Sequence, residues 1–406
     1  MRLSPRRGSR AASALPDDRW RRAVAQVVEV LRPAPEGTRR RERAHQGVTG
    51  EDLALAAELH GVEGWVRRAH GPGVPALDRA VHAALARHQR ALGDLAVAAA
   101  ALDGAGIPFL VVKGPALVAT CYPAADLRSY VDLDLVVRPA DLGGAVEALE
   151  VAGCLLLDAN WPLLTRMRVH ELRLATPSGG GIDLHWSLGA GPIDADTSPP
   201  VERLLARAAG GTLAGRRVLT LGPADTVVHL MLHAAASGGH RLIWLVDVRE
   251  ALRVALAQVP AGEVTAAVEE WGARPAAALM LTRLRRALRA ELPLAVRRLT
   301  RPGPWTVLVR VVDAASHPEL SGTGGTASRL LARSVRGDTR SSVAAAGGKV
   351  RDWWRSDRAG PPTREDLLDY DDPGSAIFPL GGRAAAHAFF AAEARRSMSA
   401  TGRVSG

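Results

Sequence analysis

The chain has 406 residues, 47% of them hydrophobic, and a formal net charge of +10, a size that allows a large core spread over two or three domains. It holds no apolar run of about 18 residues to span a bilayer, and its arginine-dense start lacks the apolar stretch of roughly 7–15 residues that a secretory signal needs. A cytoplasmic protein is therefore expected. Cys121 and Cys154 show neither metal nor redox spacing and read as ordinary buried thiols.

Residues 1–45 carry twelve arginines against five acidic residues, so most of the net charge sits in what reads as a solvated, disordered tail. A polyanion-binding arm is the other reading of that stretch. From 46 to 105 apolar residues recur at three- and four-residue intervals, which predicts amphipathic helices ending at the "GAG" of 104–106. "IPFLVV" then reads as a buried strand and "KGPALVATCY" as a helix, with Gly114 in the turn and Pro115 at the first helical position.

"VDLDLVV" reads as a second strand, "PADLGGAVEALEVAGC" as a helix and "HELRLATPSGGGIDLHWSL" as a hairpin. A core is thus placed at 106–190 and a helical domain at 191–300. Residues 301–406, rich in Gly, Ser and Arg, read as low-complexity and partly disordered. The fold class expected is α+β: a small mixed sheet with flanking helices, joined to a helical domain.

Strand residues two apart share a face, so Asp132 and Asp134 stand on one side of "VDLDLVV" at roughly 6–7 Å along the backbone. Two neighbouring carboxylates repel, so a cation is expected between them. Carboxylates suit Mg²⁺, and metal pairs clamp in-line phosphoryl displacements. In "GIDLHWSL" the same alternation puts Asp183 and His185 on one face, which offers a third carboxylate from a neighbouring strand. Lys113 is one of two lysines beside fifty arginines. It lies with Gly114 where a strand enters a helix, a place that favours phosphate, although no P-loop pattern is present.

The ordered set "LVVKGPAL", "CYPAADLRSYVDLDLVV", "HELRL", "IDLHWSL" and "HLMLHAAASGGHRLIWLVDV" resembles nucleotidyltransferase family 5, a bacterial branch of the DNA polymerase β-like superfamily. The resemblance covers roughly residues 50–260. It implies two Mg²⁺ ions held by Asp132, Asp134 and Asp183 as the catalytic carboxylates, with an NTP and an acceptor as partners. It places Lys113, Gly114 and Arg128 at the nucleotide, and His185, His233, His240 and Arg241 in a candidate substrate pocket. Two positions depart from the pattern: Lys113-Gly114 replaces the wider superfamily's Gly-Ser, and Val131 replaces the Gly before the first aspartate.

Other readings stay open for several of these residues. Arg128 could pair with the aspartates, with phosphate, or in a surface salt bridge. His229 and His233 have a spacing that could bind zinc, but no Glu follows the first histidine, so packing or pocket contact competes. The expected activity is transfer of a nucleoside monophosphate from an NTP to an unidentified small-molecule, peptide or protein acceptor. The competing expectation is an inactive binding module of the same fold, antitoxin-like or a biosynthetic partner. Nucleic-acid binding is weakly supported, because the N-terminal arginines lack interleaved aromatics.

Overall fold

A computed structural model describes residues 17–33, 47–71, 73–189, 198–301, 303–316, 326–336, 339–355 and 374–401. Most of the expected tail, residues 1–16 and 34–45, lies outside these residues, as do the stretches 317–325 and 356–373. The chain divides into two units, each assembled from three separate stretches. One takes residues 1–87, 118–130 and 227–351 and is helical; the other takes 88–117, 131–226 and 352–406 and holds the whole sheet.

The sheet comprises β1 Phe109–Val112, β2 Leu133–Val137, β3 Leu155–Leu156, β4 Glu171–Ala175, β5 Gly181–His185, β6 Ala209–Leu213 and β7 Arg216–Thr220. Its order is β3-β4-β5-β2-β1-β7-β6. The β2–β5 and β1–β7 pairs are parallel and the rest antiparallel, so the sheet is mixed, as expected for an α+β core. Alternation works as the sequence implies: Leu133, Leu135, Val137, Ile182, Leu184, Leu172 and Leu174 all fall on one apolar side and are fully buried. The opposite side carries Asp134, Asp183 and His185.

The structure departs from the sequence reading in four places. First, residues 17–31 are not a tail: Asp17–Leu31 is a helix whose Trp20, Val24, Val27, Val28 and Leu31 are buried. Their three- and four-residue spacing forms an apolar stripe that the surrounding arginines disguise. Second, the stretch read as wholly helical after 190 contains the β6–β7 hairpin, which extends the sheet beside β1. Ala214 and Gly215 at its tip have φ of 51° and 75°, the doubly left-handed pattern of a tight hairpin turn.

Third, the C-terminal stretch contributes helices, among them Gly382–Thr401 in the sheet unit. Phe389 packs against Trp161 and Trp186, and the Trp186 indole N–H donates to Glu393 at 3.1 Å. Fourth, β2 starts at Leu133, so Asp132 lies in a bend just ahead of the strand.

In the helical unit, Gly50–His60 opens with a reciprocal cap in which the Thr49 hydroxyl accepts from the Asp52 N–H and the Asp52 carboxylate accepts from the Thr49 N–H. The next helix, Glu63–His70, depends on Gly64, because a Cβ there would stand 1.8 Å from the Asp126 carbonyl oxygen. No helix among the described residues is long and apolar enough to cross a membrane.

Candidate active site

Strand β1 leads directly to the site. Its last residue, Val112, pairs with Asp134 across the antiparallel β1–β2 ladder. Regular alternation would send the next side chain, Lys113, to the opposite face. Instead Lys113 adopts a left-handed backbone, φ 51°, and Gly114 follows at φ 28°. Such a conformation is costly for a residue with a Cβ. Here it ends the strand, starts the helix Gly114–Cys121, and returns the ammonium to 2.5 Å from Asp134 Oδ1.

Asp134 and Asp183 face each other in register across the parallel β2–β5 pair. His185, two residues on, shares the face of Asp183. Its Nε2 lies 3.1 Å from Asp134 Oδ1 and its Nδ1 lies 3.3 Å from Glu171 Oε2 on β4. One ligand atom from each of Asp134, Asp183 and His185 falls within 4.8 Å of the others, all three buried. Among the described residues no other His, Cys, Asp and Glu cluster has this geometry. His229 and His233 do not form one; their rings lie 6.3 Å apart and pack near Trp271 and Trp244.

Burial alone would raise the Asp134 carboxyl, but the Lys113 ammonium and the His185 hydrogen bond outweigh it and hold the acid well below the ordinary carboxylate range. The partners respond reciprocally. Burial opposes charge on Lys113, yet Asp134 and Asp132 raise its pKa. Burial likewise opposes charge on His185, yet Asp134 and Glu171 raise it above the usual imidazole value.

The match to known families is decisive here: residues 52–289 match the family model described as "Uncharacterised nucleotidyltransferase". The chain belongs to that family. No curated protein sequence matches it. A solution structure of the antibiotic-resistance factor ANT(2'')-Ia is similar at 17% identity and a TM-score of 0.33, covering 46% of this chain and 93% of that one.

In this nucleotidyltransferase-family chain the donor set suits a hard divalent cation. Carboxylates from adjacent strands converge, and within the cluster Asp132, Asp134, Glu171 and Asp183 outnumber the cationic Lys113 and His185. The trio differs from the expected one: His185, assigned from sequence to a substrate pocket, stands with Asp134 and Asp183. Asp132 is half-buried and sits outside the trio, its Cβ 4.0 Å from where a Gly181 side chain would begin. Glu171, which anchors His185, escaped the sequence reading; the β4–β5 register sets it opposite His185.

The remaining expected site residues lie in the helical unit. Arg128 is not a surface salt bridge. Its guanidinium is buried and bidentate to Asp247, with Nε–Oδ1 at 2.8 Å and Nη2–Oδ2 at 3.1 Å. The Tyr122 hydroxyl donates to the same carboxylate at 2.6 Å. His233 and His240 both pack edge-on against Trp244, and the Arg241 guanidinium lies over the same indole at 5.8 Å. His185 belongs to the sheet unit and these three residues to the helical unit.

Proposed function

We propose that this chain is a Mg²⁺-dependent nucleotidyltransferase that moves a nucleoside monophosphate from an NTP to an acceptor hydroxyl or similar nucleophile, releasing pyrophosphate. The observation that carries this reading is the in-register pair Asp134 and Asp183, with His185 completing a buried group within 4.8 Å. Asp134 and Asp183 would hold Mg²⁺, with Asp132 at the open end of the strand. The metal, when bound, neutralises phosphate charge and acidifies the attacking group.

The chain's own groups account for positioning. His185, held between Asp134 and Glu171, fixes the rotamer of the central carboxylate. Lys113, paired with Asp134, would supply a point charge for the triphosphate, and the N-terminus of Gly114–Cys121 presents backbone N–H groups beside it. Gly114 leaves room for close approach. Arg128, an expected nucleotide contact, has its guanidinium paired with Asp247.

The test is incubation with each α-labelled NTP, Mg²⁺ and cell extract. Wild type should label an acceptor, whereas Asp134→Asn, nearly isosteric, should label none while staying folded. Equal labelling by the variant would end the assignment. A second reading, a nucleotide-binding module without turnover, is favoured by one fact: Lys113 and His185 both occupy Asp134 Oδ1. NTP binding that is indifferent to EDTA, with no labelled product, would single it out.

A further inference from the structure

The row of side chains that holds Asp134 and Asp183 continues one strand further. Antiparallel register sets Arg173 of β4 opposite Asp183 of β5, as parallel register sets Asp183 opposite Asp134 of β2. Directly opposite residues share a face of the sheet, and the neighbours of Arg173, Leu172 and Leu174, are buried on the other face. Across the polar side the order is therefore Arg173, Asp183, Asp134, and then the end of β1, where Val112 leads into Lys113.

Arg173 is clamped by one buried acid. Its backbone N–H donates to Asp158 Oδ2 at 2.8 Å, its Nη2 donates to Asp158 Oδ1 at 2.7 Å, and its Nε lies 3.4 Å from Oδ2. The Leu157 N–H donates to the Arg173 carbonyl at 2.9 Å, so the backbone is tied as well as the side chain. A guanidinium carries two forks of N–H donors, one along Nε and Nη2 and one at its end along Nη1 and Nη2. Asp158 takes the first. Among the described residues Nη1 has no partner, and it is not one of the polar atoms sealed from solvent.

An in-line displacement gives the row a direction, because the attacking and leaving oxygens stand on opposite sides of the phosphorus. Under the nucleotidyl-transfer reading, on which this inference rests, the triphosphate lies by Lys113 and the helix Gly114–Cys121, at the β1 end. The nucleophile then arrives from the β5–β4 end, where Arg173 stands.

We propose that Arg173 is a specificity-determining residue for the acceptor, its end fork binding an oxyanion, carboxylate or phosphate, carried beside the attacking group. Two parallel N–H donors match two oxygens of one oxyanion. Held in place by Asp158, the fork meets its ligand with little ordering left to do. An ion pair with Asp158 alone needs only a positive charge, whereas acceptor binding needs the second fork.

The test turns on Arg173→Lys, which keeps a charge for Asp158 and loses the planar fork. The full chain is given α-labelled NTP, Mg²⁺ and cell extract, with acetate or methyl phosphate as competitor at constant ionic strength; a non-hydrolysable NTP is titrated in parallel by calorimetry. Wild type should label an acceptor, and one competitor should suppress that labelling without weakening NTP binding: acetate if the acceptor carries a carboxylate, methyl phosphate if it carries a phosphate. Arg173→Lys should label about ten- to a hundredfold less, the size of a lost charge-assisted contact, while it melts and binds the NTP as wild type does. Should the lysine variant melt low, Arg173→Gln with Asp158→Asn removes both charges of the pair and carries the same expectation. Labelling equal to wild type overturns the proposal, as does labelling that neither competitor suppresses. So does weakened NTP binding in Arg173→Lys, which would put the fork on the triphosphate. A wild type that labels nothing ends the transfer reading itself and this proposal with it.

Discussion

Replacing Lys113 with methionine keeps most of the stem and removes the ammonium that lies 2.5 Å from Asp134 Oδ1. Both side chains are nearly enclosed, 11% and 5% exposed, so the change leaves a buried carboxylate with a smaller share of compensating charge. Breaking a buried pair on one side costs about 3–5 kcal/mol. His185 remains on the same oxygen, which argues for the lower end, near 3 kcal/mol. The left-handed backbone is equally strained with Met, so it cancels from the comparison. A loss of that size lowers the melting temperature by roughly 6–12 °C for a unit of this scale.

Adding Asp134→Asn to Lys113→Met removes the stranded charge, so the double variant should recover part of the loss, with a coupling of about 1–3 kcal/mol. The four proteins of the cycle are compared by calorimetric melting in EDTA. Mg²⁺ should then raise the melting temperature of Lys113→Met more than that of wild type, since the cation competes with no ammonium there. Additive single and double variants would refute the pairing on which this reasoning rests.

The remaining predictions concern the helical unit and one long helix. Burial pushes the Glu63 carboxyl up to about 7 from 4.5, so its contribution to stability is full below about pH 4.5 and lost as pH rises through 7. Glu63→Gln should therefore gain on wild type by roughly 3 kcal/mol between pH 4 and pH 8 in denaturant titrations, and a pH-independent difference would contradict this. Deleting residues 1–16 should leave melting unchanged. Deleting 1–33 should lower it by several degrees, because each large side chain uncovered is worth about 1.5–3 kcal/mol. Gly64→Ala should destabilise by about 1–3 kcal/mol or more, since its Cβ meets a backbone oxygen. Gly93→Ala, with open space around it in Pro75–Gly104, should stabilise by about 0.5–1 kcal/mol.

The parts legible in the sequence are those where local period and local chemistry agree. "LDLVV" and "GIDLH" announce strands, and their phase alone brings Asp134 and Asp183 to one face. What the phase could not supply is register between strands. That is why His185 reads as a pocket residue until β2 and β5 are seen side by side, and why Glu171 goes unnoticed until β4 is added.

Asp132 illustrates the opposite error, since a two-residue period was carried one residue past the start of the strand. Arg128 invites pairing with the β2 aspartates because they are near it in sequence, whereas Asp247, to which it is bidentate, is 119 residues away. The helix Asp17–Leu31 and the hairpin Ala209–Thr220 were hidden by composition, arginine in one case and glycine in the other. In both, the apolar spacing held the signal.

The hydrogen bond from Trp186 to Glu393 joins residues 207 positions apart. Trp186 directly follows β5, the strand of Asp183 and His185, so the tryptophan's N–H remains without its native acceptor until Glu393 has been made. On a ribosome adding about 5–20 residues per second, that is a delay of roughly 10–40 s. Throughout this interval the aromatic partner Phe389 is missing while the sequences of β2 and β5 already exist. The packing of Trp161 and Trp186 against the C-terminal helix is therefore a contact of the sheet unit that synthesis completes late. Shortening the chain before Phe389 should trap the unit as a soluble intermediate or an aggregate, and pulse-proteolysis of nascent chains of increasing length would locate the step.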